Sequence, residues 1–114
     1  MLRAAIATFV LLAAPHLAAA QSFDCKKAQT AVEKSICASP ELAMLDEHLG
    51  RYYPAARAAM EGGAAACLQA DQSQWLKAAR NACRDDACLK RAYLNRLAEL
   101  DALQPGATAI RDND

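Results

Sequence analysis

Aromatic residues are scarce in this chain of 114 residues, with Phe, Trp and Tyr making up 5% of it. Glycine and proline are thin as well, at four each. A β-sandwich or barrel draws on aromatic and β-branched strand formers and on frequent turns, so that class is disfavoured. An excess of one charge is also missing: 13 Lys and Arg face 13 Asp and Glu, and the isoelectric point is near 6.7. Without a basic footprint, no nucleic acid partner is expected. Histidines number two, and no Cys-x2-Cys pair occurs. Neither a zinc site nor a Ser-His-Asp or Cys-His catalytic set is therefore expected, and no cofactor is called for. What the chain does contain is Ala and Leu, which supply much of its 54% hydrophobic content and favour helices. The expectation is one small all-α domain.

Residues 1–20 read as a signal peptide. Arg3 forms a short positive start, Ala4 to Ala14 an apolar run, and Pro15 a break. Ala18, Ala19 and Ala20 then offer the small residues that a signal peptidase accepts, with cleavage before Gln21. The apolar run is short for a bilayer span, so no membrane anchor is expected after cleavage. Cys25 lies beyond Gln21-Ser22-Phe23-Asp24, which is a poor lipoprotein junction. The expected product is a soluble periplasmic or secreted protein, with a helical domain over 21–103 and a flexible tail over 104–114.

Export exposes all five cysteines, Cys25, Cys37, Cys67, Cys83 and Cys88, to an oxidising compartment. Two bridges and one leftover thiol can be arranged fifteen ways, five choices of leftover times three connectivities. Helix geometry sets conditions on them. Cys25 and Cys37 would stand about 18 Å apart on a continuous helix, whereas a bridge needs Cα atoms within roughly 7 Å. Pairing them requires a helix that begins well after Cys25, and Thr30-Ala31-Val32-Glu33 is a capping box at that place. Cys83 and Cys88 would fall on nearly opposite faces of one helix. Pairing them requires a break, for which Asp85 and Asp86 are suitable cap residues. In the loop-entropy model these two closures contribute about 3 and about 2 kcal/mol. Cap signals and bridge geometry agree on Cys25–Cys37 and Cys83–Cys88, leaving Cys67 as a free thiol. Cys67 is readable as a small buried residue at a helix edge or as a thiol that links two copies into a homodimer.

Four helical segments follow from the apolar periodicity. The first runs from Thr30 to about Cys37. The second opens at Ser39-Pro40, carries Leu42, Leu45, Leu49, Tyr52 or Tyr53, Ala56 and Met60 on one stripe, and ends at Gly62-Gly63. Pro54 is expected to kink it. The third runs from about Ala64 to Ala82 with Leu68, Gln72, Trp75, Leu76 and Ala79 on one face. The fourth runs from about Asp86 to Leu103 with Leu89, Ala92, Tyr93, Leu97, Leu100 and Leu103. The third and fourth should form an antiparallel C-terminal hairpin closed by Cys83–Cys88, with the second packed across them.

Phe23-Asp24-Cys25, Glu33, Ile36-Cys37, Leu42, Leu45-Asp46, Leu49 and Tyr53 are followed in order by a second set. That set is Gln72, Trp75-Leu76, Arg80, Cys83, Cys88-Leu89, Tyr93, Arg96 and Leu100. Together they resemble the N-terminal domain of the lysozyme-inhibitor LprI family, small exported helical modules, over about Phe23 to Asp101. Cys67 is extra to the family's four-cysteine pattern, and the inhibitor that names the family is a lipoprotein whereas this chain lacks a lipobox. The motif residues Asp46, Tyr53, Gln72, Trp75, Arg80, Tyr93 and Arg96 read as architecture. Asp46 flanks a core face and is expected to be held by Arg80 or Arg96; Gln72 satisfies buried groups, and Trp75 packs in the core. His48, beside Glu47, is expected in solvent. The resemblance implies a non-enzymatic binding module whose specific form is inhibition of a lysozyme-type glycoside hydrolase. The alternative is a structural or stress-related envelope protein that binds no lysozyme. A thiol–disulfide role through Cys67 lacks the Cys-x-x-Cys pattern. An inhibitor must obstruct a cleft that works through two carboxylates, and an exposed cation on a protrusion is the physical means. Arg51, Arg57, Arg84 and the Gly62-Gly63 turn are the candidates.

Overall fold

The computed structural model describes residues 23–103, so the expected signal peptide and the expected tail over 104–114 lie outside the described residues. A 3-10 turn at Cys25–Lys27 leads to α1 (Ala31–Ala38), α2 (Pro40–Ala58) and α3 (Gly63–Trp75). A π turn at Leu76–Arg80 follows, then α4 (Asp86–Ala102). Among the described residues there is no strand.

The helix starts follow from local chemistry. Thr30 Oγ1 accepts from the Glu33 N–H at 3.1 Å, and the Glu33 carboxylate accepts from the Thr30 N–H at 3.1 Å, closing the capping box on α1. Those backbone donors hold the Glu33 carboxyl below its ordinary pKa. Ser39 accepts from the Leu42 N–H at 3.2 Å, with Pro40 at the first helical position of α2. Asp85 accepts from the Cys88 N–H at 2.7 Å and starts α4. With α1 starting after a fold-back and α4 after a break, Cys25 bonds to Cys37 and Cys83 to Cys88, across Cα separations of 5.8 and 5.5 Å.

Three details differ from the periodic reading. Helix α2 ends at Ala58, and α3 already begins at Gly63, with Gly62 at φ +55° as its cap. That left-handed backbone suits glycine, which has no Cβ to clash. Regular α geometry stops at Trp75 instead of running to Ala82. The Asn81 N–H bonds five residues back to the Leu76 carbonyl at 2.9 Å, giving the wider π turn. Leu103 lies just past the last turn of α4 and is 43% exposed rather than part of the core stripe. Pro54 lies within α2 without terminating it.

Ile36 of α1, Leu42, Leu45, Leu49 and Ala56 of α2, Leu68 of α3 and Leu89, Tyr93, Leu97 and Leu100 of α4 form one core. Each fully buried Leu or Ile contributes roughly 1.5–3 kcal/mol of transfer free energy. Met60, Trp75 and Ala92 pack half-buried against this core. The most extensive helix contact joins α2 to α4. Glu41 meets Lys90 and Asp46 meets Tyr93, so these two helices run side by side in the same sense. Gln72 meets Arg96, Trp75 meets Tyr93 and Cys83 meets Cys88, so α3 and α4 form an antiparallel hairpin.

Candidate functional site

The motif residues converge on the seam between α2, α3 and α4. Asp46, fully buried, faces α4 from α2. The Tyr93 hydroxyl donates to Asp46 Oδ1 at 2.8 Å, and Arg80 Nη1 lies 3.9 Å from the same oxygen. Of the two expected partners, Arg80 therefore neutralises Asp46. The π turn that ends at Arg80 allows that side chain to face inward. Its Nε donates to Asn81 Oδ1 at 3.0 Å, and its guanidinium lies 5.5 Å from the centroid of the Phe23 ring. Burial, reinforced by the charge of Asp46, pushes the Tyr93 phenol far above its ordinary pKa. Tyr93 is thus a neutral donor across the whole physiological range.

Arg96 organises a second cluster one turn away. Its Nε donates to Gln72 Oε1 at 2.8 Å, and its Nη1 donates to Asp71 Oδ2 at 2.8 Å and Glu99 Oε2 at 2.9 Å. Trp75 stands edge-on to Tyr93, with ring centroids 5.6 Å apart. Six of the motif residues, Asp46, Gln72, Trp75, Arg80, Tyr93 and Arg96, thus share one wall. Tyr53 stands apart from these pairs. It is half-buried and lines a cavity of about 300 Å³ together with Phe23, Gln72, Leu76 and Arg80. A second cleft, about 490 Å³, lies between the start of α1 and the segment from Asn81 to Asp85.

The chemistry open to these groups is limited by their partners. General acid–base work needs a titrating group within reach of substrate. Asp46 and Tyr93 are both at 0% exposure and are bonded to each other. Among the described residues no group of three or more His, Cys, Asp or Glu side chains could hold a metal ion. His48 is half-buried and stacks on Tyr52 with centroids 6.3 Å apart, rather than lying free in solvent. Cys67 is a free, exposed thiol, which overturns the buried helix-edge alternative. Leu68 and Gln72 take the inner face of α3 and leave Cys67 outside.

The surface cations differ in what holds them. Arg51 is tied to Glu47 at 3.4 Å. Arg57, in the last turn of α2, and Arg84, inside the Cys83–Cys88 loop, are exposed and have no ion pair among the described residues. The turn at Gly62 and Gly63 is open: a Cβ added to either meets nothing within 4 Å. The structure adds roles for Phe23, Asn81, Asp71 and Glu99. Glu99 was accessible through its i,i+3 spacing from Arg96. The others depend on the π turn and on contacts between distant segments.

Residues 25–104 match the family described as Lysozyme inhibitor LprI. The chain belongs to the LprI family. Relatives in Mycobacterium bovis and Mycobacterium tuberculosis, each named Lipoprotein LprI, are 38% identical over 95 residues, covering 80% of this chain and 46% of theirs. The chain thus spans about half the length of the curated relatives it matches. No solved structure matches. The LprI match takes in both bridges and both arginine clusters. Among the described residues no helix is long and apolar enough to cross a membrane.

Proposed function

We propose that this LprI-family chain is a non-enzymatic, exported binding module that inhibits lysozyme. The observation that carries the reading is the family match over residues 25–104. The distribution of polar groups supports it. The buried Asp46, Tyr93 and Arg80 engage one another and Arg96 is held by Gln72, Asp71 and Glu99, so recognition falls to the rest of the surface. In this reading the signal peptide ends at Ala20, and the domain over 21–103, followed by the tail over 104–114, acts in the periplasm or outside the cell. Its partner is a lysozyme-type glycoside hydrolase.

The end of the bundle between α2 and α3 is the face best suited to a cleft that works through two carboxylates. Arg57 is a cation without an ion pair among the described residues, next to an open turn that can approach a partner closely. Arg51 already has Glu47. Arg84 is followed directly by Asp85 and Asp86, whose charges oppose approach to an acidic cleft.

Lysis of peptidoglycan by a muramidase, measured with rising amounts of the purified chain and paired with calorimetric binding, tests this. A saturable fall in lysis with matching heats is expected at concentrations on the order of tens of micromolar or below. Unchanged lysis and no heat in that range would reject lysozyme inhibition and favour the structural envelope role.

A further inference from the structure

Pro54 leaves a mark on α2 that inhibition does not use. Proline has no N–H, so the carbonyl of Gly50, four residues earlier, lacks the donor that a helix supplies at its other turns. Gly50 and Pro54 both line the cavity of about 300 Å³ between α2, α3 and the π turn. Gln72 lines the same cavity from α3 and is only 7% exposed. Its Oε1 accepts from Arg96 Nε, which fixes the amide: oxygen toward Arg96, NH2 directed elsewhere. That NH2 has no hydrogen-bond partner among the described residues and, unlike Arg96 Nη2, it is not sealed from open space.

The rest of the cavity selects against an anion. Phe23, Leu49 and Leu76 make its apolar walls, and the half-buried Tyr53 stands beside them. Arg80 also borders it, but its charge already faces the buried Asp46 carboxylate. Beside the Tyr53 hydroxyl, what remains is the Gln72 NH2 as donor, the Gly50 carbonyl as acceptor, mostly apolar walls and no surplus charge. We propose that this cavity binds a neutral secondary amide with a small acyl group. The ligand carbonyl accepts from the Gln72 NH2 and the ligand N–H donates to the Gly50 carbonyl. An N-acetylated amino sugar and an acylated peptide both carry this group. The inference stands independently of lysozyme inhibition.

Nitrogen-15 NMR titration of the purified chain tests it, with N-acetylglucosamine and N-acetylalanine methylamide as ligands and glucose as the control. Saturable movement of the Gln72 side-chain NH2 signals is expected with at least one amide and none with glucose. Movement with the sugar alone assigns a glycan, with the blocked amino acid alone a peptide, and with both the amide itself. Pro54→Ala restores an N–H to the Gly50 carbonyl in a more regular helix, and should weaken binding by about tenfold. Gln72→Met removes the donor and should weaken it comparably. Because Gln72 also holds Arg96, Pro54→Ala decides the matter should the Met variant fail to fold. No movement of the Gln72 signals with either amide, or unchanged affinity in Pro54→Ala, would overturn the proposal.

Discussion

Arg80 and Arg96 are both buried, at 7% and 4% exposure, yet they are neutralised in opposite ways. Arg80 faces Asp46, itself fully buried and bonded to Tyr93. Arg96 reaches outward to the Asp71 and Glu99 side chains, which are 63% and 61% exposed. Among the described residues, Gln72 supplies its only fully internal acceptor, and its Nη2 is buried without a hydrogen-bond partner. Removing one member of a buried pair strands the other charge in a low dielectric. Removing an exposed acid lets water take its place. The Arg80 cluster is therefore a lock between α2, the π turn and α4, whereas the Arg96 cluster is a looser clamp between α3 and α4.

Substitutions should rank accordingly. Asp46→Ala leaves Arg80 without its buried carboxylate and Tyr93 without an acceptor, and should cost about 3–5 kcal/mol in urea unfolding. Trp75→Ala removes the ring that packs edge-on against Tyr93. Because that ring is half-buried, the cost should be about 3 kcal/mol, at the low end for a tryptophan. Tyr93→Phe keeps the packing and deletes one buried hydrogen bond, at about 1–2 kcal/mol. Asp71→Ala should change stability by less than about 1 kcal/mol, and an equal loss from Asp71→Ala and Asp46→Ala would erase the distinction between the clusters.

Alkali sharpens the comparison further. The Tyr93 pKa is raised above its ordinary value of 10.0 in the folded chain. Its contribution is therefore complete below pH 10 and is lost as pH rises beyond it. Stability measured above pH 10 should fall more steeply in the parent than in Tyr93→Phe. Glu33 has the opposite sign: its pKa is lowered from 4.5, so its capping contribution is present above that pH and fades as pH falls below it.

What could be read from the sequence was mostly local. Thr30, Ser39 and Asp85 start helices because their side chains reach backbone donors three residues ahead, and that information lies within four positions. The Leu42, Leu45, Leu49 and Leu89, Tyr93, Leu97, Leu100 stripes marked two core faces for the same reason. Asp46 on a core face required a cation, but spacing alone left both Arg80 and Arg96 open. The choice between them is made by the π turn at Leu76–Arg80, which nothing in Leu-Lys-Ala-Ala-Arg announces. Those residues are ordinary helix formers, and the wider turn accompanies an inward Arg80 and a Cys83 that meets Cys88. Phe23 over Arg80 is equally non-local, since it depends on where the chain before Cys25 comes to rest.

The most direct measurement compares Tyr93→Phe and Arg57→Glu in one muramidase lysis assay, with thermal unfolding run on both to show that they are folded. If the buried cluster is architecture and the surface does the binding, Tyr93→Phe should inhibit like the parent despite its lower stability. Arg57→Glu should melt like the parent and lose inhibition by about tenfold or more. Full inhibition by Arg57→Glu together with none by a folded Tyr93→Phe would contradict that assignment.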